Sequence, residues 1–239
     1  MPWLAHARAN RVHPSYPLLH IEDDFLWREL IVSVVETSPV VQSCLSASTG
    51  AEGMSLAQAH QPALVLLDLF LPDMDGFAIA RELAQLPRPP RVLALSNRTD
   101  DETLYQVGQS HFAGLIWKNV DALHLLPIAL AEIVAGQKYY SPDVRDAFRR
   151  LRSDPKAFFK ILSMREVELL PYFGLGWSDG EIADHLGASA FTIKSHRQHI
   201  LAKLDLHRTA QLIHWTIVHG FVPANGLPPP RPKSEEPTS

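Results

Sequence analysis

Five polar side chains stand at the ends of apolar runs: Glu22 and Asp23 after LLHI, Asp68 after LVLL, Ser96 after VLAL and Lys118 after GLIW. Brought together, the three carboxylates would repel one another, and one would bind a proton unless a cation neutralised them. Oxygen-only ligands of this kind suit Mg2+, which keeps several waters and accepts phosphate oxygens as further ligands. Beside such a cation a carboxylate can attack a phosphoryl group and form an acyl phosphate. Lys118 would supply a second positive charge, and the Ser96 hydroxyl a hydrogen bond to the phosphoryl group. Each residue taken singly could be a polar strand terminus; the five jointly point to a phosphate-accepting pocket.

A pocket made of strand ends needs strands that run the same way, because the carboxyl ends of a parallel sheet border one crevice. The chain supplies them. YPLLHIE, PVVQSC, ALVLLDLF, RVLALS and GLIWK each precede a segment of helical period. Five strand and helix alternations, with strands that lack polar alternation, predict a parallel sheet covered by helices on both faces. His20, inside the first strand, reads as a core histidine.

The 239 residues, 46% apolar and 20% charged, suit a globular chain of two domains. No apolar run reaches the roughly 18 to 20 residues of a membrane span. The N-terminus shows no basic segment followed by an apolar stretch and a cleavage site, so a cytoplasmic location is expected. The single cysteine, Cys44, excludes an intramolecular disulfide and a zinc cage of several thiolates. Residues 15–137 carry six basic and fifteen acidic side chains, residues 138–160 seven and three, and residues 161–222 five and six. An acidic front half repels nucleic acid, so any such contact belongs to the back half.

The pattern therefore divides the chain into an extension at 1–14, a first domain at 15–136, a linker at 137–160, a helical domain at 161–222 and a tail at 223–239. The tail holds six prolines in seventeen residues, which predicts disorder. In the helical domain, Ser163 with Glu166 and Ser178 with Glu181 have capping-box spacing. Within SDGEIADHLGASAFTIKSHRQHILAKL two helices meet at a turn containing Gly187, the sequence form of a helix-turn-helix. On a wheel of the second helix, Ile193, Ile200, Leu201 and Leu204 share the apolar side, while Lys194, Ser195, Gln198 and Ala202 face away. Lys194 suits a phosphate or a guanine edge, Gln198 an adenine, and Ser195 is permissive. Arg197 falls near the apolar edge and reaches a phosphate only by snorkelling. His196 and His199 lack the carboxylate or thiolate support of a metal site.

The stretches LLHIEDDFLWREL, LVLLDLFLPDMDG, LALSN and GLIWK resemble the motifs of a bacterial response-regulator receiver. LSMREVELL, EIADHLGAS and TIKSHRQHILAKL resemble the LuxR-type helix-turn-helix of NarL/FixJ response regulators. The resemblance implies a flavodoxin-like, five-stranded parallel sheet of order 2-1-3-4-5, followed by a four-helix DNA-binding domain. It implies a transcription regulator, not an enzyme, in which Asp68 accepts phosphate from a histidine kinase. Glu22, Asp23 and Asp68 would then hold Mg2+ with the backbone carbonyl of Phe70, and Ser96 and Lys118 would contact the phosphate. The recognition helix would present Thr192, Lys194, Ser195, Arg197 and Gln198 to double-stranded DNA. The final helix, through Leu212, Trp215 and Ile217, would form a homodimer.

Leu115 departs from that pattern, because receivers usually place there an aromatic ring that swings inward on activation; His111 stands where a glycine is common. Leu115 supports a second expectation, a receiver without phosphorylation control whose DNA binding is constitutive. A phosphatase of the haloacid-dehalogenase type would need a second aspartate two residues beyond the nucleophile, and that place is Phe70.

Overall fold

A computed structural model describes residues 15–222; the predicted extension at 1–14 and tail at 223–239 lie outside the described residues. The described residues form two compact units, one of residues 15–97 and 111–141, the other of residues 98–110 and 142–222.

The first unit is an α/β sandwich. Its strands are β1 (Tyr16–Ile21), β2 (Val41–Ala47), β3 (Leu64–Asp68), β4 (Arg91–Ser96), β5 (Gly114–Trp117) and β6 (Tyr139–Tyr140). Its helices are α1 (Phe25–Val35), α2 (Gly50–His60), α3 (Gly76–Leu83) and α5 (Ala122–Val134). All strand pairs are parallel, in the order β2-β1-β3-β4-β5-β6. The expected order thus holds, extended by one strand. β6 has only two residues, too few for a periodic signal, and it docks because Gly114 has no side chain: a Cβ there would collide with the Tyr139 carbonyl oxygen.

Both faces of the sheet are covered, as runs without polar alternation require. Leu18, Leu64, Leu66, Leu93, Leu95 and Ile116 pack with Ile31 and Val35 of α1 and Leu126, Leu130 and Ile133 of α5. Each such side chain contributes up to about 1.5–3 kcal/mol on burial.

The second unit is helical: α4 (Asp101–Gln109), α6 (Pro142–Ser153), α7 (Phe158–Ile161), α8 (Met164–Gly174), α9 (Asp179–Leu186), α10 (Ala190–Lys203) and α11 (Thr209–Val218). Phe158, Leu169, Leu170, Phe173, Ile182, Ile193, Ile200, Leu212 and Phe221 form its core, with Tyr105 of α4 packed against it. Both capping boxes form. Ser163 and Ser178 each accept the third backbone N–H of their helix at 3.3 Å, and Glu166 and Glu181 accept the Ser163 and Ser178 backbone N–H groups at 2.7 and 2.8 Å. α9 ends at Gly187, whose φ of 65° is the left-handed conformation that favours glycine. Ser189 then caps α10 by accepting the Thr192 N–H at 3.0 Å.

Candidate functional site

The sheet register brings the strand-end residues into one place. Ile21 pairs with Leu67, Asp68 with Leu95, and Ser96 with Trp117, so Glu22, Asp68, Ser96 and Lys118 stand side by side along the carboxyl edge. The Lys118 ammonium donates to Asp68 Oδ2 at 2.6 Å and to Glu22 Oε1 at 2.8 Å. Oxygens of Glu22, Asp23 and Asp68 lie within 4.8 Å of one another. Glu22 and Asp68 are buried and Asp23 is exposed, which leaves the cluster open on one side. Asp68 Oδ1 accepts the Phe70 N–H at 3.0 Å.

Neighbouring carboxylates have other duties. Asp24 caps α1 by accepting the Leu26 and Trp27 N–H groups, Asp75 caps α3, and Asp73 accepts the Gly50 and Ala51 N–H groups at the start of α2. The spacing alone did not single out Arg28, which donates to the Glu22 carbonyl at 2.8 Å and the Asp23 carbonyl at 3.3 Å and so steadies the acidic corner. Its position within the first helix, five and six residues beyond the pair, is the signal that was available.

Burial pushes the Glu22 carboxyl above the usual carboxylate range, and the Asp68 charge adds to that rise while Lys118 opposes it. Burial alone would depress the Lys118 ammonium, but the carboxylates of Asp68 and Glu22 outweigh it and raise its pKa. Hard oxygen donors in excess over one ammonium are the donor set a small divalent cation takes. His20 is fully buried as expected of a core histidine, yet neither ring nitrogen has a hydrogen-bond partner among the described residues. Burial, and then the positive charges of Lys118 and Arg28, push it down to about 3, so the ring is neutral.

Leu115 is fully buried in β5, and strand alternation puts it and Trp117 on the face away from the α1 and α5 core. Phe112 is buried too, edge-on to Phe77 at 5.8 Å, while His111 is exposed.

In the second unit, α10 buries Ile193 and Ile200 and turns Thr192, Lys194 and Gln198 to solvent, with Ser195 half-buried. Arg197 is engaged within the unit: it donates to Asp179 Oδ2 at 2.7 Å and to Thr209 Oγ1 at 2.9 Å, tying α10 to α9 and α11. Its place at the apolar edge of the wheel is explained by those partners. The three apolar residues expected at a dimer contact separate. Leu212 is fully buried in the core of its own unit and has no surface to offer, which corrects that expectation. Trp215 is half-buried, stacked on His219 at 4.1 Å, and Ile217 is 55% exposed. Ala210, His214, Ile217 and Val218 are the exposed residues of α11, and their i, i+4, i+7, i+8 spacing makes one stripe.

A parallel sheet with an acidic pocket at its carboxyl edge, joined to a helix-turn-helix unit, defines a receiver with a DNA-binding output. Residues 18–129 match the response regulator receiver domain model, and residues 160–216 the model of bacterial regulatory proteins, luxR family. The response regulator UvrY of Escherichia coli is 25% identical over 213 residues, which span 88% of this chain and 97% of that protein. The response regulator protein VraR of Staphylococcus aureus is 24% identical over 205 residues, 86% of this chain and 98% of that protein. Among solved structures, RcsB of Salmonella enterica serovar Typhimurium, bound to a promoter in the presence of a phosphomimetic, matches with a TM-score of 0.61 at 19% identity. That match covers 86% of this chain and 99% of that one. A complex of the response regulator RcsB with DNA matches with a TM-score of 0.61 at 20% identity, over 85% and 98% of the two chains. The chain belongs to the LuxR-type (NarL/FixJ) family of two-component response regulators. Among the described residues no helix is long and apolar enough to cross a membrane.

Proposed function

We propose that this response regulator accepts a phosphoryl group on Asp68 from a histidine kinase and, once phosphorylated, dimerises and binds paired DNA half-sites in the cytoplasm. The observation that carries the reading is the Lys118 ammonium seated between Asp68 and Glu22, at 2.6 and 2.8 Å, on the open edge of the sheet.

In the transfer, an Asp68 oxygen attacks phosphorus, the O–P bond forms as the N–P bond of the phosphohistidine breaks, and the imidazole leaves with the electron pair. Lys118 neutralises charge on the attacked side and remains within reach of the new phosphoryl oxygens. Ser96, the last residue of β4, offers its hydroxyl to the same oxygens. Glu22, Asp23, Asp68 and the Phe70 carbonyl are the groups that would hold Mg2+, which when bound offsets the charge that builds on the phosphoryl oxygens. The Phe70 side chain has no acid or base group, which counts against a haloacid-dehalogenase type of hydrolysis.

On the output side, Thr192, Lys194, Ser195 and Gln198 would meet the major groove, with Arg197 holding the helix in place instead of touching phosphate. Ala210, His214, Ile217 and Val218 would form the contact between copies. A second reading has one observation in its favour: the fully buried Leu115 cannot act as the swinging ring, so DNA binding would be independent of phosphate. Titrating operator DNA with and without a small phosphodonor and Mg2+ decides between them. A gain in affinity that Asp68→Asn abolishes supports the first reading; equal affinity in all samples supports the second.

A further inference from the structure

Phe191 is the second residue of α10, directly after the Ser189 cap and Ala190, and it is 81% exposed. A phenyl ring left in water at the start of a helix whose Ile193 and Ile200 are fully buried is not needed by the core of this unit. On the wheel it falls in the middle of the outward face: Ser195, Gln198 and Ala202 follow at i+4, i+7 and i+11, and Lys194 lies roughly 60° away. The residues at the N-terminal end of a recognition helix are those that approach base edges. The ring cannot donate or accept a conventional hydrogen bond, and the apolar group that a major groove presents is the C5 methyl of thymine.

We infer that Phe191 is a specificity-determining residue that packs against a thymine methyl in each half-site, beside the polar contacts of Lys194 and Gln198. The inference rests on the proposal that α10 enters the major groove.

The test uses the full chain and duplexes it selects from a random-sequence pool. Each thymine of the selected half-site is replaced in turn by deoxyuridine, which removes only the methyl, and affinity is measured at fixed salt for the natural chain, Phe191→Ala and Lys194→Ala. Loss of one methyl contact should weaken the natural chain about fourfold for one half-site and about fifteenfold for two. At that thymine, Phe191→Ala should bind the two duplexes equally, and Lys194→Ala should keep the natural preference. A thymine preference unchanged in Phe191→Ala, or absent at every position of the natural chain, overturns the inference. So does a change of oligomeric state in Phe191→Ala with the preference intact, which would make the ring a protein contact. If Lys194→Ala binds with full affinity and no sequence is enriched, the major-groove reading itself fails, and the role of Phe191 falls with it.

Discussion

At the scale of single residues, Lys118 joins two carboxylates that burial would otherwise set against each other. Its side chain is 5% exposed, as against 0% for Glu22 and 7% for Asp68, so solvent screens the three charges weakly. Removing the ammonium leaves the Asp68 and Glu22 carboxyls without their partner, at a cost of up to about 3–5 kcal/mol that proton uptake by Glu22 partly relieves. Lys118→Met should therefore lower stability in a urea titration, and the loss should grow as pH rises and Glu22 ionises; a variant as stable as the natural chain at every pH would contradict the ion pairs. These pocket residues were legible in the sequence because each one interrupts an apolar run where a buried parallel strand has to end. Arg28 was not, since its partners are main-chain carbonyls, which no side-chain pattern announces.

At the scale of elements, the helix-turn-helix is held by polar ties between helices as well as by its apolar core. Glu166 closes the α8 capping box and accepts the Lys203 ammonium of α10 at 2.7 Å. Its carboxyl is buried, which alone would raise its pKa, but Lys203 and the Ser163 N–H outweigh that and hold it below the usual value. A lowered folded-state pKa stabilises at pH above the unfolded value and is lost as pH falls through the folded one. Glu166→Gln should thus cost about 1 kcal/mol at pH 7, and the gap from the natural chain should close in acid; a gap constant down to pH 3 would contradict this. Arg197→Ala should lower the melting temperature of the helical unit, at a cost of about 1–3 kcal/mol, while the slope of DNA affinity against salt stays unchanged. A shallower slope would instead make Arg197 a phosphate contact. The wheel located Arg197 correctly at the apolar edge, but Asp179, eighteen residues away, becomes its partner only through the turn at Gly187. Likewise the apolar count of α11 was legible while its facing was not: Leu212 belongs to the core and Ile217 and Val218 to the surface, a division that depends on which side α8 covers. β6 escaped notice because two tyrosines carry no period.

At the scale of the whole molecule, phosphate taken up in the receiver would, on the proposed function, be read out as DNA binding, with the exposed stripe on α11 as the place where copies associate. Sedimentation velocity should show a monomer that becomes a dimer with phosphodonor and Mg2+, and Ile217→Glu should hold the chain monomeric with an unchanged melting temperature. Dimer formation undiminished by Ile217→Glu would place the contact elsewhere. The central claim is more direct than any of these, namely that one carboxylate in the pocket becomes an acyl phosphate. Mass spectrometry of the intact chain after incubation with a small phosphodonor and Mg2+, followed by mapping of the modified residue, tests it. The expected result is a single phosphoryl group on Asp68, lost on chelation of the cation during labelling and absent in Asp68→Asn. Phosphate mapped to another residue, or incorporated equally by Asp68→Asn, would contradict it.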